Sequence, residues 1–252
     1  MKKTLRNILP DRLRAWILKT RYVGPSFEKD GSLWLLKDHN RKIYVPILRR
    51  YTLYAKGIER RLNHMLERYE IGDINDALIL DVGAHIGEFA MATSPYAKKI
   101  ICFEPDPVAR EALMRNVSNL ENVEVLPIAL SNQTGFSTFY VATTFADSSL
   151  FKPSGVSSQE IQVETKKLDD LNLELNGYSR VLLKMDAEGF EPEVVKGGLK
   201  VFSRLDQVAI DVSPERGDAD TYADVRRALE LAGLVEKKLT ADMVLVSHRV
   251  TL

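Results

Sequence analysis

The sequence has 252 residues, of which 45% are hydrophobic and 28% charged, and its formal net charge at pH 7 is zero. This length and composition are typical of one globular domain, or of one domain with an appended segment. The single cysteine, Cys102, excludes an internal disulfide and a cysteine-based zinc site, and a run of about 18 apolar residues that would predict a membrane span is absent.

The charge is unevenly distributed along the chain. Residues 1–70 carry 17 Lys and Arg against 7 Asp and Glu, whereas the remainder carries 18 against 28. Leu9, Leu13, Trp16 and Ile17 recur at helical spacing, which predicts a basic amphipathic helix. Such a helix suits an anionic membrane surface, its own domain or a second subunit. The helix leaves open a peripheral membrane contact and a homodimer, and the single cysteine suits a reducing cytoplasm, so we expect a cytoplasmic protein.

The segment before the main domain has a hairpin pattern and a helix pattern. Residues 32–48 read as two short strands around a polar turn, and residues 52–70 have apolar side chains at helical spacing. We assign residues 1–72 to an N-terminal helical and β-hairpin extension, and residues 73–252 to the main domain.

In the main domain, apolar strand patterns alternate with helical patterns. Near-continuous apolar runs are typical of parallel strands buried on both faces. We expect strands at 77–82, 99–104, 123–129, 180–186, 207–212 and 242–247, helices at 107–117 and 221–233, and two inserted strands at 135–142 and 160–168. The alternation predicts a doubly wound α/β sheet with a ligand crevice at the carboxyl ends of its strands.

The stretch LILDVGAHIGEF, residues 78–89, resembles a nucleotide-binding turn. Its glycines, Gly83 and Gly87, would allow a tight turn and close packing of the following helix. His85 stands where a dinucleotide fingerprint has its middle glycine. Asp81 would repel a pyrophosphate, so the turn indicates a ligand with positive charge and no phosphate.

Glu104 follows Gly83 by 21 residues, at the predicted end of the second strand. An acid at about this distance from the glycine turn binds the ribose hydroxyls in nucleoside-binding α/β sheets. A glycine turn and a ribose-binding acid without a phosphate site indicate S-adenosylmethionine, which joins an adenosine to a sulfonium and an amino-acid tail.

The fourth predicted strand ends in LLKMDAEGFEPEVVKGG, residues 182–198. Asp186 and Glu188 lie near its carboxyl end, which a doubly wound sheet places beside the glycine turn. Lys184 precedes Asp186 by two residues, so both side chains share one face of the strand. A buried acid beside a lysine can act as a catalytic base with its orienting group, although acids here also favour the start of a helix.

These motifs together resemble the FkbM-type methyltransferases, a family of S-adenosylmethionine-dependent class I enzymes. The matching segments are DVGAHIG (81–87), FEPDP (103–107), SSL (148–150) and KMDAEGFEPEVVKG (184–197). The resemblance implies a Rossmann-like seven-stranded sheet whose last strand is antiparallel, so that residues 73–252 form a class I methyltransferase domain. It also implies O-methylation of a hydroxyl on a sugar, glycan or related natural-product acceptor.

The resemblance and the motif positions together assign roles to individual residues. Asp81, Gly83 and nearby backbone would hold the methionine portion, and Glu104 would take both ribose hydroxyls. The full set of predicted cofactor-binding residues is Asp81, Gly83, Ala84, His85, Gly87, Glu104, Pro105, Ile128, Ala129 and Asp186, with Ile128 and Ala129 flanking the adenine. The predicted catalytic residues are Asp186, Glu188 and Lys184, with either acid orienting or deprotonating the acceptor hydroxyl.

Two positions depart from the family pattern, and both bear on the site. His85 replaces the usual Asn, and the segment DVSPERG (211–217) departs from the more usual Glu near the end of the fifth strand. A divalent metal at Asp186, Glu188 and Asp211 is chemically reasonable because Mg²⁺ prefers carboxylate oxygens. Nothing in the spacing requires a metal, and we do not expect one.

Three other functions fit parts of the sequence. A nicotinamide dehydrogenase is disfavoured by the absent middle glycine and by Asp81. A non-catalytic S-adenosylmethionine-binding or scaffold protein is disfavoured by the intact Glu104 and Asp186. A nucleic-acid methyltransferase lacks the Asn/Asp-Pro-Pro-Tyr/Phe motif after the fourth strand, so we expect no nucleic-acid partner. The acceptor itself is not encoded in any motif that we recognise.

Overall fold

The computed structural model describes Ile17 and residues 24–39, 41–142, 148–150, 158–214 and 221–249. The predicted N-terminal amphipathic helix lies outside these residues, except that Ile17 is helical. Most of the loop between the two inserted strands lies outside them as well. Within the described ranges, every helix is too short or too polar to cross a lipid bilayer.

From residue 24 onward, the described part of the N-terminal extension begins with a three-stranded antiparallel sheet. Its strands are β1 (Ser26–Asp30), β2 (Leu33–Asp38) and β3 (Arg41–Val45). The predicted hairpin of β2 and β3 is confirmed. The sequence did not reveal β1, because its residues SFEKD are mostly polar and lie on the outer edge of the sheet.

The helical pattern of residues 52–70 is divided into two helices, α1 (Tyr51–Tyr54) and α2 (Ile58–Tyr69). Gly57 separates them with a φ of +107°, which a side chain would strain. The carboxylate of Asp38 accepts a hydrogen bond from the Ile58 backbone N–H at 2.6 Å, and this contact attaches the start of α2 to the hairpin.

The rest of the described chain contains ten strands and five helices. The strands are β4 (Leu78–Val82), β5 (Lys99–Phe103), β6 (Val123–Leu126), β7 (Ala129–Leu130), β8 (Gly135–Ala142), β9 (Ser158–Lys166), β10 (Val181–Met185), β11 (Gln207–Asp211), β12 (Leu234–Leu239) and β13 (Val244–Arg249). The helices are α3 (Glu88–Thr93), α4 (Pro107–Asn116), α5 (Glu191–Lys196), α6 (Leu199–Phe202) and α7 (Thr221–Leu231).

Seven of these strands form the main sheet, in the order β6-β5-β4-β10-β11-β13-β12. Neighbouring pairs from β6 to β11 are parallel, whereas β13 is antiparallel to both of its neighbours. The predicted doubly wound seven-stranded sheet with an antiparallel last strand is therefore confirmed. The sequence does not predict β12, because Glu236, Lys237 and Lys238 give this edge strand a polar character.

The prediction of one continuous strand over residues 123–129 is wrong. β6 ends at Leu126, and Pro127 follows, which has no backbone N–H to continue the ladder. β7 instead pairs with β9, and β9 pairs with β8, in a separate three-stranded sheet. The chain between β6 and β7 consequently passes over the carboxyl end of the main sheet.

The N-terminal extension shares a hydrophobic core with the main domain. Tyr54 and Leu62 from α1 and α2 are buried in one cluster with Ile86, Ala92 and Ala112 of the main domain. Two further clusters cover the two faces of the main sheet. The extension therefore forms part of the wall of the main domain, on the side where β4 ends.

Candidate active site

A cavity of about 260 Å³ lies at the carboxyl ends of β4, β5 and β10. Strand order reverses here, because β4 has β5 on one side and β10 on the other, and ligands bind at such points in α/β sheets. The predicted site residues on its wall are Gly83, Ala84, His85, Glu104, Pro105, Ile128, Ala129, Lys184, Asp186 and Glu188. The predicted residues Asp81 and Gly87 do not line it.

Gly83 brings the β4 turn against the end of β10. Its φ is +67°, and a Cβ atom built on it would lie 1.9 Å from the carbonyl oxygen of Asp186. Gly87 has a different role, because its Cβ would meet the side chain of Leu113 at 2.5 Å. The two glycines therefore allow one strand-to-strand contact and one helix-to-helix contact, and only the first is at the cavity.

Asp81 forms a buried pair with Lys184 beneath the cavity. The Lys184 ammonium lies 3.0 Å from Oδ1 of Asp81, and it donates a hydrogen bond to the carbonyl oxygen of Gly83 at 2.8 Å. Burial lowers the pKa of Lys184, but attraction to Asp81 and Asp186 outweighs burial and raises it. Lys184 is therefore a cation that joins the glycine turn to β10, and Asp81 is its counter-charge.

Glu104 is 5% exposed and is held by two backbone donors. The N–H of His85 donates to Oε2 at 2.6 Å, and the N–H of Asp106 donates to Oε1 at 2.8 Å. Burial and repulsion by Asp106 raise the pKa of Glu104 to about 8, although the backbone donors oppose this change. The carboxylate is thereby fixed at the end of β5 and retains lone pairs for two further donors.

Asp186 lies in a network with two residues of α2. The Tyr69 hydroxyl donates to Oδ2 of Asp186 at 2.8 Å, and Nη1 of Arg68 lies 3.9 Å from the same oxygen. Arg68 also donates through Nη2 to the buried Asp211 at the end of β11. Burial and Asp186 raise the pKa of Tyr69 well above its usual value, so its hydroxyl remains a donor.

The SSL segment connects two sides of the cavity. Ser148 Oγ donates to Oδ2 of Asp106 at 2.9 Å, and Asp106 lies two residues after Glu104 in the chain. Ser149 Oγ donates to the backbone oxygen of Glu188 at 2.7 Å. Glu188 has a φ of +50°, an unfavourable conformation for a residue with a side chain, and such strain is frequent at functional sites.

One wall of the cavity comes from the N-terminal extension, and the sequence did not predict that its residues belong to the site. Arg61, Met65, Arg68 and Tyr69 line the cavity from α2, and Arg50 lines it from just before α1. The four α2 residues have the spacing i, i+4, i+7 and i+8, which places them on one helix face. That periodicity, with basic and aromatic side chains among the apolar positions, was the available signal.

The described residues include no group of three or more His, Cys, Asp or Glu side chains arranged to hold a metal ion. Asp186 and Asp211, two of the three carboxylates considered for a metal, both face Arg68. A guanidinium thus lies between these carboxylates and offsets part of their negative charge.

The comparisons with known proteins agree with the motifs. The FkbM methyltransferase domain matches residues 81–235. The 2-O-methyltransferase NoeI of Sinorhizobium fredii (strain NBRC 101917 / NGR234) is 26% identical over 183 residues, and the match covers 64% of this chain and 75% of NoeI. Methyltransferase sdnD of Sordaria araneosa is 29% identical over 165 residues, and the match covers 51% of this chain and 63% of sdnD.

A solved structure of methyltransferase FkbM from Methylobacillus flagellatus KT is also similar, with 17% identity and a TM-score of 0.46. The similarity covers 72% of this chain and 46% of that one. The sheet, with its antiparallel last strand and a cavity at its switch point, has the Rossmann-like architecture that the resemblance to class I methyltransferases predicts. Because the domain match spans more than half of the sequence, the chain belongs to the FkbM methyltransferase family.

Proposed function

We propose that the cavity binds S-adenosylmethionine and that the chain transfers its methyl group to a hydroxyl of a sugar, glycan or related small molecule. One observation carries the proposal. The Gly83 turn and the buried carboxylate of Glu104 end neighbouring strands and face the same cavity. Support for a hydroxyl acceptor comes from the related 2-O-methyltransferase.

The side chains of the cavity fit this cofactor. Glu104 can accept both ribose hydroxyls, because each of its oxygens uses one lone pair on a backbone N–H. Ile128 and Ala129 offer an apolar surface for the adenine on the β6 side. Asp186 supplies negative charge near the Gly83 turn, where the cationic sulfonium and ammonium would lie.

When bound, the cofactor supplies a methyl group on a positively charged sulfur. The chain's own residues then have to align an acceptor oxygen with it, and alignment of this kind can contribute on the order of 7–11 kcal/mol. Asp186 is held by Tyr69, so its carboxylate can orient the acceptor hydroxyl and take its proton. Glu188 is the second acid on the cavity wall and remains the alternative for this role.

The first test is calorimetric titration of the wild type and of Glu104→Ala with S-adenosylmethionine and S-adenosylhomocysteine. We expect binding by the wild type and a loss of affinity in the variant. Transfer of radiolabelled methyl groups to a panel of glycans and hydroxylated small molecules then tests the reaction. Binding without transfer to any hydroxyl would favour the non-catalytic alternative, and absence of binding would contradict the proposal.

A further inference from the structure

Arg61, Glu88 and Tyr54 form a buried group that opens onto the cavity, and the predicted cofactor contacts do not use it. Nε of Arg61 donates to Oε1 of Glu88 at 2.7 Å, and Nη2 donates to Oε2 at 2.9 Å. The Tyr54 hydroxyl also donates to Oε1, at 2.5 Å. Arg61 and Glu88 both line the cavity, so the group brings α1, α2 and the first residue of α3 together at its wall.

The charges within this group are fixed at neutral pH. Burial alone would raise the pKa of Glu88, but the hydrogen bonds and charge of Arg61 outweigh burial and lower the pKa to about 2. Burial raises the pKa of Tyr54 well above its usual value, so Tyr54 is neutral. Glu88 is thus a permanent carboxylate that holds the guanidinium of Arg61 in one orientation.

Helix packing alone is a weak explanation for this pair. A buried ion pair contributes little net stability compared with apolar side chains of similar size. The bidentate contact uses Nε and Nη2, while Nη1 makes no hydrogen bond to any residue within the described ranges. A planar guanidinium held on one edge presents its remaining N–H groups in a fixed direction, which suits recognition of a second carboxylate.

We propose that Arg61 binds the α-carboxylate of the methionine tail of S-adenosylmethionine, with Glu88 and Tyr54 as positioning residues. This inference rests on the function proposed above. With the ribose at Glu104, the tail extends over the Gly83 turn, which leads directly into α3 and Glu88. Its ammonium would then face Asp186, and its carboxylate would face the α2 wall that carries Arg61.

The test compares S-adenosylmethionine with its decarboxylated analogue, which lacks only the carboxylate. Arg61→Lys keeps a positive charge beside Glu88 but cannot bind two carboxylates through a guanidinium. The double variant Arg61→Gln with Glu88→Gln removes both charges, so no buried carboxylate is left unpaired. Arg60→Gln is the matched control, because Arg60 is the neighbouring arginine on α2 and is exposed.

In the wild type, we expect calorimetry to give clearly tighter binding of S-adenosylmethionine than of the analogue. Both Arg61 variants should weaken the binding of S-adenosylmethionine by about 10- to 100-fold, the range for a charge-assisted hydrogen bond. Their affinity for the analogue should not change. Arg60→Gln should change neither affinity.

Four results would overturn the inference. The first is an equal loss of affinity for both ligands in the Arg61 variants, which would make the group purely structural. The second is unchanged binding of both ligands by the Arg61 variants with a loss of methyl transfer, which would place Arg61 at the acceptor. The third is a wild type that binds neither ligand, which would contradict the proposed function as well. The fourth is a wild type that binds both ligands tightly and equally, which would leave the proposed function intact and reject only the role of Arg61.

Discussion

Gly83 and Asp186 are in backbone contact across the floor of the cavity, at the point where β4 and β10 both end. A Cβ atom on Gly83 would lie 1.9 Å from the carbonyl oxygen of Asp186, and the φ of Gly83 is +67°. Gly83→Ala should therefore move the end of β10 and lower the free energy of unfolding by about 2–5 kcal/mol, from backbone strain and overpacking together. Denaturant unfolding measures the loss.

The matched control for this substitution is Gly177→Ala. Gly177 has a similar φ of +79°, but no atom beyond its chain neighbours lies within 4 Å of the position that a Cβ atom would take there. The free energy of unfolding of Gly177→Ala should fall only by the strain of the left-handed conformation, about 1–2 kcal/mol. Equal losses in the two variants would show that the contact with Asp186 contributes nothing and that only backbone strain matters.

Glu104 should couple cofactor binding to the release of a proton. Its pKa is about 8 in the folded protein against 4.5 for an ordinary Glu, so between these values the folded state holds a proton that the unfolded state has lost. Its contribution to the free energy of unfolding therefore falls as the pH rises through this window. Ribose hydroxyls donate to the ionised carboxylate, so affinity for S-adenosylmethionine should increase as the pH rises toward 8.

Calorimetry at pH 7 in two buffers with different heats of ionisation measures this proton directly. We expect the wild type to release most of one proton on binding. Glu104→Gln, which cannot ionise, should bind more weakly and release none from this site. A wild-type affinity that does not depend on pH between 6 and 8 would contradict the assignment of Glu104 as the ribose-binding acid.

The central residues of the candidate site were predictable because each one is required by a local feature of the chain. Gly83, Glu104 and Asp186 each follow an apolar strand, and parallel strands end at the same edge of a sheet. Their convergence on one cavity therefore follows from the sheet topology. The role of Asp81 could not be predicted from its own segment, because its partner Lys184 comes from another strand. The two side chains form a buried ion pair that supports the glycine turn.

The contributions of Arg61, Arg68 and Tyr69 could not be predicted in the same way. The periodicity of α2 predicts a helix, but it does not indicate which part of the main domain the helix covers. That position depends on the packing of the hairpin and α1 against Ile86 and Ala112, which are distant in sequence. For this reason the boundary at residue 72 separates segments that build one cavity.

Asp186→Asn should lower turnover by about 10²–10⁴-fold, a larger effect than its loss of affinity for S-adenosylhomocysteine, if its carboxylate orients or deprotonates the acceptor. The amide oxygen can still accept the hydrogen bond from Tyr69, so the local structure should be retained. Steady-state kinetics with an acceptor found in the glycan panel, together with calorimetry, separates the two effects.

The comparison variant for this prediction is Glu188→Gln, on the same segment and the same cavity wall. Its turnover should fall far less, because the hydrogen bond and the nearby guanidinium hold Asp186 beside the Gly83 turn. Normal turnover by Asp186→Asn with a large loss in Glu188→Gln would transfer the role to Glu188.

Methyl transfer should be unaffected by removal of divalent metals. Arg68 donates to Asp211 and lies 3.9 Å from Asp186, so its guanidinium already lies between the two carboxylates that a Mg²⁺ ion would need. A metal would have to displace this cation and break the contact with the buried Asp211. We expect equal turnover before and after dialysis against a chelator, with no further gain from added Mg²⁺. A loss of turnover that Mg²⁺ restores would show that Arg68 moves aside in the working enzyme and that these carboxylates hold a metal.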